Sequence, residues 1–187
     1  MLENLIGTLN QVDTNLFYMI NLNLQNSVFN FLMPIITNAG TDAFWLIIFA
    51  LIFVFGGEKG RNVAVIGIIA LLLGYGITEL LKYEIARPRP FTVLSNVHLL
   101  VNMGEYSFPS GHAVASFTGC IILGKKYGYL YPLLFFACII AFSRVYIGVH
   151  YPFDVAAGAV IGVICSLLVL HFEVDILKLK NRFVHKS

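Results

Sequence analysis

Residues 62–81 of the chain read NVAVIGIIALLLGYGITELL, a run in which apolar side chains follow one another with little interruption. A helix needs about 20 predominantly apolar residues to cross the hydrocarbon core of a bilayer, and this run supplies that length. Residues 127–147 and 152–172 are also long enough, whereas residues 42–55 and 110–123 are strongly apolar but shorter. The pattern predicts five membrane-spanning helices.

The composition of the whole chain favours a membrane protein as well. Of its 187 residues, 58% are hydrophobic and 12% are charged, whereas about 25% of residues are charged in an average soluble domain. A soluble domain of this length has too little interior to bury so many apolar side chains. The 12 basic and 10 acidic residues nearly balance, which argues against a nucleic-acid partner. The three cysteines are odd in number and lie in apolar stretches, so we expect them to pack as small hydrophobic residues.

The lengths of the connecting segments make consecutive spans run antiparallel, which predicts an all-α polytopic helical bundle. We expect one membrane-embedded domain over residues 1–187, with a transmembrane bundle at 42–172 and a basic cytoplasmic tail at 173–187. Within the bundle, Gly158 and Gly162 form a small-xxx-small pair that predicts close helix packing rather than dimerisation.

The first forty residues differ from the predicted spans, because apolar and polar residues recur there at helical spacing. Leu5 and Leu9 fall on the apolar face of such a helix, and Asp13 falls between the apolar positions. Amphipathic helices of low net hydrophobicity lie in the membrane interface, so we expect interfacial helices over residues 1–40. Pro34 argues against a full span in the second half of this segment, and a sixth crossing there is left open.

The basic residues predict the orientation of the bundle in a cell membrane. Eight of them fall on one side of five antiparallel spans: Lys59, Arg61, Lys125, Lys126, Lys178, Lys180, Arg182 and Lys186. The positive-inside rule makes that side, and therefore the C-terminus, cytoplasmic. The other four fall on the extracytoplasmic side: Lys82, Arg87, Arg89 and Arg144. Basic residues on that side go against the rule and need a separate reason.

Three polar clusters accompany these four basic residues. Residues 82–90 read KYEIARPRP, residues 109–112 read PSGH, and residues 143–154 read SRVYIGVHYPFD. The predicted topology brings all three clusters to the same membrane face. We therefore interpret them together, as parts of one site.

The clusters contain the groups that bind a phosphate. Arg89 and Arg144 each offer a planar fork of donors to phosphate oxygens, and Lys82 adds a compact positive charge. Ser110 and Gly111 open a predicted helix, where free backbone N–H groups and the helix dipole favour an anion. An anionic ligand would also relieve the repulsion among three neighbouring cations.

Two histidines and an aspartate add what phosphate binding alone does not require. Asp154 follows His150 at a spacing that lets its carboxylate orient the imidazole, leaving the other ring nitrogen as a nucleophile. His112 would then protonate the leaving oxygen as a general acid. Because His150 must be neutral and His112 charged, this scheme predicts a bell-shaped pH dependence.

The three motifs, in this order and spacing, resemble those of the type 2 phosphatidic acid phosphatase family, membrane lipid phosphatases related to the vanadium haloperoxidases. Lys82, Arg89 and Pro90 match its first motif, and residues 109–112 match its second. The third motif is matched by Ser143, Arg144, His150 and Asp154. The pair Arg87-Pro88 repeats the Arg-Pro element, and the six-residue spacing selects Arg89 and leaves Arg87 as an accessory cation.

The resemblance implies a function and a role for each matched residue. His112, His150 and Asp154 would be catalytic, as acid, nucleophile and orienting group respectively. Phosphate binding would fall to five further matched residues, which are Lys82, Arg89, Ser110, Gly111 and Arg144. The resemblance also implies that the reaction proceeds through a phosphohistidine and needs no metal or other cofactor. The substrate would be a lipid phosphate or diphosphate, such as undecaprenyl diphosphate, phosphatidic acid, phosphatidylglycerol phosphate or a lipid A phosphate.

Each of these residues also has a structural interpretation. Lys82 alone is typical of a lysine that extends from a helix end to the interface, and Asp154 is typical of a helix cap. A second functional hypothesis is a non-catalytic protein that binds or transports lipid phosphates. Such a protein would need the cations but not the two histidines and Asp154, which therefore favour an enzyme.

Overall fold

The computed structural model describes residues 2–104 and 106–184, so the end of the predicted tail, including Lys186, lies outside the described residues. Within those ranges the chain forms helices and loops and no strand, which confirms the predicted all-helical fold. The helices are α1 Leu2–Asn21, α2 Ser27–Asn38, α3 Asp42–Phe55, α4 Gly57–Ile85, α5 Pro90–Val93, α6 Gly111–Tyr127, α7 Leu130–Tyr146, α8 Pro152–His171 and α9 Glu173–Val184.

Two of the described helical segments are long and apolar enough to cross a membrane. They are α4 with its continuation to Val93, at a mean hydropathy of 2.1, and α8, at 2.4. Helices α2 and α3 together meet the same criteria but are bent by 56° at their junction, and α7 is apolar but shorter. The chain is thus a membrane protein, and its number of crossings stays a prediction.

Local sequence signals explain where the helices around the three motifs begin and end. α6 begins after Pro109-Ser110 and ends at Tyr127. The next residue, Gly128, has a φ of +85°, the left-handed conformation of a helix C-cap. α8 begins at Pro152, a favourable residue for a first helical turn because it has no N–H group to satisfy. The Asp154 carboxylate accepts the Tyr151 backbone N–H at 2.9 Å. Asp154 therefore caps α8, as its structural interpretation predicts.

Helix α6 lies at the centre of the bundle, packed against α4, α7 and α8. Its contact with α8 depends on two glycines. A Cβ atom at Gly158 would lie 2.6 Å from the Ser110 carbonyl oxygen, and one at Gly162 would lie 2.7 Å from the Val114 carbonyl oxygen. The prediction that this pair serves close helix packing is confirmed.

Helix α1 turns a partly polar face toward the protein. Asp13, Phe17 and Asn21, spaced four residues apart, are fully buried against α7 and α8. Apart from Phe17, several apolar residues of α1 lie on the exposed surface: Leu5, Ile6, Leu9, Val12 and Met19. A polar face inside and an apolar face outside suit a helix surrounded by lipid. Whether α1 lies in the interface plane stays a prediction.

The motif residues and the other basic residues that the structure describes lie at opposite ends of the bundle. At one end, Lys126 pairs with Glu173 of α9, and the Lys59 ammonium lies 4.9 Å from the centre of the Tyr127 ring. At the other end, the chain returns through α5 and the loop before α6. That second end contains the candidate site.

Candidate active site

A cavity of about 150 Å³ opens at the second end of the bundle, between α4, α6 and α7. Six of the eight residues predicted for the site line it: Lys82, Arg89, Gly111, His112, Arg144 and His150. Ser110 and Asp154 are fully buried and lie outside its lining. The structure thus brings the three motifs together around one small space.

Arg89 is held in place by backbone groups of the loops beside the cavity. Its Nη1 donates to the Val149 carbonyl at 2.8 Å, and its Nε donates to the Gly104 carbonyl at 3.0 Å. The same Nη1 lies 3.2 Å from Nε2 of His150. Arg89 is therefore a fixed cation in direct contact with the histidine ring.

Arg144 enters the cavity from the last turn of α7 and is 1% exposed. Its Nη1 donates to Thr37 Oγ1, and its Nη2 contacts Met103 Sδ, each at 2.7 Å. Its Nε has no hydrogen-bond partner among the described residues. A buried guanidinium with an unused donor is ready to bind an anion.

Lys82 lies at the end of α4, one helical turn after Glu79. Its Nζ pairs with Glu79 Oε1 at 2.8 Å, and both side chains line the cavity together with Asp42. The carboxylate of Glu79 therefore partly neutralises Lys82 in this structure. An anion in the cavity would compete with Glu79 for the ammonium group.

The first turn of α6 faces the cavity through Gly111 and His112. The hydroxyl of Ser110, the N-cap residue, is buried and has no hydrogen-bond partner among the described residues. A Cβ atom at Gly111 would meet only Thr78 Cγ2, at the ordinary distance of 3.6 Å. The fold thus leaves room for a side chain at Gly111, and the glycine keeps the cavity open beside the helix N-terminus.

The surroundings of His150 determine which of its ring nitrogens carries the hydrogen. A guanidinium can only donate, so Nε2 accepts from Arg89 and the hydrogen belongs on Nδ1. Nδ1 has no hydrogen-bond partner among the described residues and lies 3.7 Å from Asp154 Oδ2. That distance is too long for a hydrogen bond, although the carboxylate faces the ring as the motif spacing predicts.

The imidazole of His150 is 2% exposed. Burial lowers its pKa to about 4; the charges of Arg144 and Arg89 add to this effect, and the Asp154 carboxylate opposes it. A lowered pKa leaves the ring neutral at pH 7. His150 thus carries its lone pair on Nε2, which accepts from Arg89, and both residues line the cavity.

Asp154 makes its strongest contacts with groups other than His150. Its Oδ2 accepts from the Ser107 hydroxyl and the Tyr151 N–H, and its Oδ1 accepts from Arg87 Nη1 at 2.6 Å. The second amine of Arg87 donates to Asp13 Oδ2 at 2.8 Å. Both amines of Arg87 thus bind carboxylates, and Arg87 is not among the residues that line the cavity. Its role as an accessory cation stays a prediction.

Sequence reasoning missed several residues that hold the site together. Asp13 lies far from the motifs in sequence, whereas Ser107 lies just before the second motif. Thr37 and Met103 contact Arg144 from α2 and from the loop before α6. Only Asp13 carried a sequence signal, as an acidic residue among the apolar positions of α1. Within residues 2–104 and 106–184, no three His, Cys, Asp or Glu side chains are grouped as a metal site.

The arrangement can bind an oxyanion through Arg89, Arg144, Lys82 and the start of α6, with a neutral histidine beside it. The sequence profile of the PAP2 superfamily matches residues 63–177, which contain all three motifs. The chain belongs to the PAP2 superfamily. As a PAP2 protein it is an enzyme, a membrane phosphatase that hydrolyses phosphate esters.

Similar proteins place this PAP2 chain among phosphatases of lipid metabolism. An undecaprenyl-diphosphatase of Sulfolobus acidocaldarius is 33% identical over 165 residues, covering 86% of this chain and 78% of the relative. An undecaprenyl-diphosphatase of Bacillus subtilis is 35% identical over 165 residues, covering 84% and 81%. The crystal structure of Aquifex aeolicus LpxE matches with a TM-score of 0.75 at 31% identity, covering 84% of this chain and 94% of that one.

Proposed function

We propose that this PAP2 protein hydrolyses a lipid diphosphate of the prenyl type, with undecaprenyl diphosphate as its leading substrate, through a phosphohistidine intermediate. The observation that carries the proposal is the buried His150 in a cavity that Arg89, Arg144 and Lys82 also line, with its Nε2 3.2 Å from Arg89 Nη1. Two relatives that align with more than four fifths of the chain are named undecaprenyl-diphosphatases, which supports the choice of substrate.

The cations and the start of α6 would bind the terminal phosphoryl group. Arg144 would use its free Nε, Ser110 its free hydroxyl, and Lys82 would exchange Glu79 for a phosphate oxygen. The backbone N–H groups at Gly111 would complete the binding site, because a helix N-terminus favours negative charge. These contacts would strengthen as charge develops on the oxygens in the transition state.

The reaction would take place in two steps. His150 Nε2 attacks phosphorus, the N–P bond forms, and the bond from phosphorus to the leaving oxygen breaks as His112 donates a proton to that oxygen. In the second step His112 takes a proton from water, the water oxygen attacks phosphorus, and the N–P bond breaks to release inorganic phosphate. The first step requires Arg89 Nη1, which lies 3.2 Å from His150 Nε2, to donate its hydrogen bond to the phosphate instead.

The same proposal includes the arrangement in the membrane. The helices α3, α4, α6, α7 and α8 would be the five spans, with the cavity at the extracytoplasmic face and α9 at the cytoplasmic face. The headgroup would enter at the outer interface while the prenyl chain stays among the spans. Apolar residues of the segment between the first two motifs, such as Val93, Leu94 and Leu99, would line the entrance.

The test is phosphate release by the purified protein in detergent with excess chelator. The panel contains undecaprenyl diphosphate, phosphatidic acid, phosphatidylglycerol phosphate and lipid A phosphate. We expect the fastest turnover with the prenyl diphosphate, none detectable in His150→Ala, and an acid-labile phosphoryl adduct that disappears in that variant. His171→Ala, an exposed histidine at the opposite end of α8, is the control and should keep full activity. Full turnover in His150→Ala would contradict the mechanism, and a panel without any turnover would contradict the proposed function.

A further inference from the structure

Asp13 is a buried carboxylate on α1, far outside the residues 63–177 that the family profile matches. Both of its carboxylate oxygens accept hydrogen bonds. Oδ1 accepts the Phe153 backbone N–H at 2.9 Å, and Oδ2 accepts from Arg87 Nη2 at 2.8 Å. Burying a carboxylate is costly unless it is paired, so these two contacts account for its presence in the interior.

Arg87 connects Asp13 to Asp154. Its guanidinium donates one amine to each carboxylate, and it lies 3.9 Å from the centre of the Tyr151 ring. The carbonyl of Arg87 accepts the Ser107 N–H at 2.7 Å, and the Ser107 hydroxyl in turn donates to Asp154. Two of the donors to the Asp154 carboxylate, Arg87 Nη1 and the Ser107 hydroxyl, therefore have positions that depend on Arg87.

We propose that Asp13 is a positioning residue for the phosphatase reaction, which acts through Arg87 to hold the Asp154 carboxylate against the Nδ1 side of His150. This inference rests on the proposed function, in which His150 is the nucleophile. Asp13 fixes the guanidinium so that it presents Nη1 to Asp154 Oδ1, and it shares the positive charge of Arg87 between two carboxylates. Asp154 thereby keeps negative charge available to His150, 3.7 Å away.

A purely structural role would give a different pattern of effects. Asp13 also accepts an N–H group of the first turn of α8, so its loss could simply loosen α1 from the bundle. The variant Asp13→Asn separates the two roles. The amide oxygen can still accept the Phe153 N–H, but the amide nitrogen would face Arg87 as a second donor and lose that contact.

The experiment measures kcat and KM for the lipid diphosphate in Asp13→Asn and in the wild-type protein. We expect kcat to fall about 10- to 100-fold, as displacement of a reacting group does. KM should stay within about twofold, because the cations that bind phosphate do not contact Asp13. A kcat within about twofold of the wild-type value, or an effect on KM alone, would overturn the proposal.

A double-mutant cycle tests whether Asp13 acts through Arg87. Arg87→Gln should lower kcat at unchanged KM, and adding Asp13→Asn to it should cause no further fall. Independent, multiplying effects would contradict the proposal. If Asp13→Asn does not fold, Arg87→Lys decides, because one ammonium cannot bind both carboxylates as the planar fork does. An unchanged kcat in Arg87→Lys would overturn the proposal.

Asn21 provides a control matched in burial on the same helix. Its amide bonds to the backbone of Tyr146 and His98 and does not contact Arg87 or Asp154. Asn21→Ala should lower the thermal midpoint while keeping kcat; an equal loss of kcat would mean that any loosening of α1 suffices, which would contradict the proposal. His150→Ala is measured in parallel. An inactive His150→Ala beside a fully active Asp13→Asn would reject the positioning role alone, whereas an active His150→Ala would reject the proposed function.

Discussion

At the scale of single residues, the two ring nitrogens of His150 have different surroundings. This difference determines which nitrogen carries the hydrogen and which one can act as the nucleophile. Arg89 Nη1 faces Nε2 at 3.2 Å, and Asp154 Oδ2 faces Nδ1 at 3.7 Å. A donor on one side and an acceptor on the other make the Nδ1–H tautomer the favoured form. The lone pair therefore faces Arg89, a cavity-lining residue, rather than the carboxylate.

Nitrogen-15 NMR of histidine-labelled protein tests this description. We expect His150 to carry its hydrogen on Nδ1 and to stay neutral from about pH 8 down to about pH 5, well below the usual titration near 6.5. The reason is that burial lowers its pKa to about 4, so the proton is lost at a lower pH than in water. Comparison with His150→Gln assigns the signal. A titration near the usual value, or a hydrogen on Nε2, would refute the prediction.

Gly111 provides a test of anion binding that is separate from folding. A Cβ atom there would meet only Thr78 Cγ2 at 3.6 Å, so Gly111→Ala should leave the thermal midpoint unchanged. The methyl group would occupy the cavity beside the helix N-terminus, and loss of one charge-assisted hydrogen bond should raise the Kd for orthovanadate about tenfold. The measurement is isothermal titration at neutral pH. Unaltered affinity would mean that the anion does not approach Gly111.

At the scale of helices, the contact between α6 and α8 determines where the first turn of α6 lies. Gly158 faces the Ser110 carbonyl and Gly162 faces the Val114 carbonyl, so the two backbones approach without side chains between them. In lipid, helices associate through such close packing because hydrophobic burial between them gains little. The N-terminus of α6 thereby lies beside the start of α8, and the Ser110 N–H donates to the Asp154 carbonyl at 3.0 Å.

Gly162→Ala should weaken this packing. Its Cβ atom would lie 2.7 Å from a backbone oxygen that cannot move aside, and overpacking of this kind costs about 1–3 kcal/mol. Gly76→Ala is the control, because a Cβ atom there meets nothing within 4 Å and alanine favours a helix. Thermal unfolding in one detergent should show a lower midpoint for Gly162→Ala only. Equal midpoints would contradict the role given to the contact.

At the scale of the whole molecule, charge is divided between the two ends of the bundle. Lys59, Lys126 and α9 meet at one end, and the cationic cavity lies at the other. Between them the surface of the described helices is largely apolar, as expected for a protein surrounded by lipid. The division supports a cytoplasmic end that carries α9 and an extracytoplasmic end that carries the site.

Cysteine labelling in intact cells tests this orientation. In a Cys138→Ser background, which removes the exposed native cysteine, single cysteines are introduced at Ser95 and at Lys125, both exposed. A membrane-impermeant maleimide should label Ser95→Cys in intact cells and Lys125→Cys only after lysis. The opposite pattern would place the site on the cytoplasmic face.

Much of the fold and of the site can be predicted from the sequence, because both depend on local patterns. A long apolar run in a bilayer forms a helix, because the helix satisfies all of its backbone hydrogen bonds internally. The five runs predicted as spans are the helices α3, α4, α6, α7 and α8 of the structure. The motifs likewise combine residue types whose joint chemistry is specific. Six of the eight site residues predicted from these motifs line one cavity.

The support of the site could not be predicted in the same way, because it depends on contacts between residues distant in sequence. Arg87 and Arg89 have the same local Arg-Pro context, yet Arg87 binds Asp13 and Asp154 while Arg89 lines the cavity. The apolar pattern of α1 likewise gave no indication that its polar residues would be the buried ones. By itself the sequence determined the all-helical membrane fold and the residue types of the candidate site, since periodicity and residue type are local properties. Only the tertiary structure decided that Arg89 lines the cavity and that Asp13 and Asp154 bind Arg87. Such pairs depend on which groups lie close together in space and on the cost of leaving a buried charge unpaired.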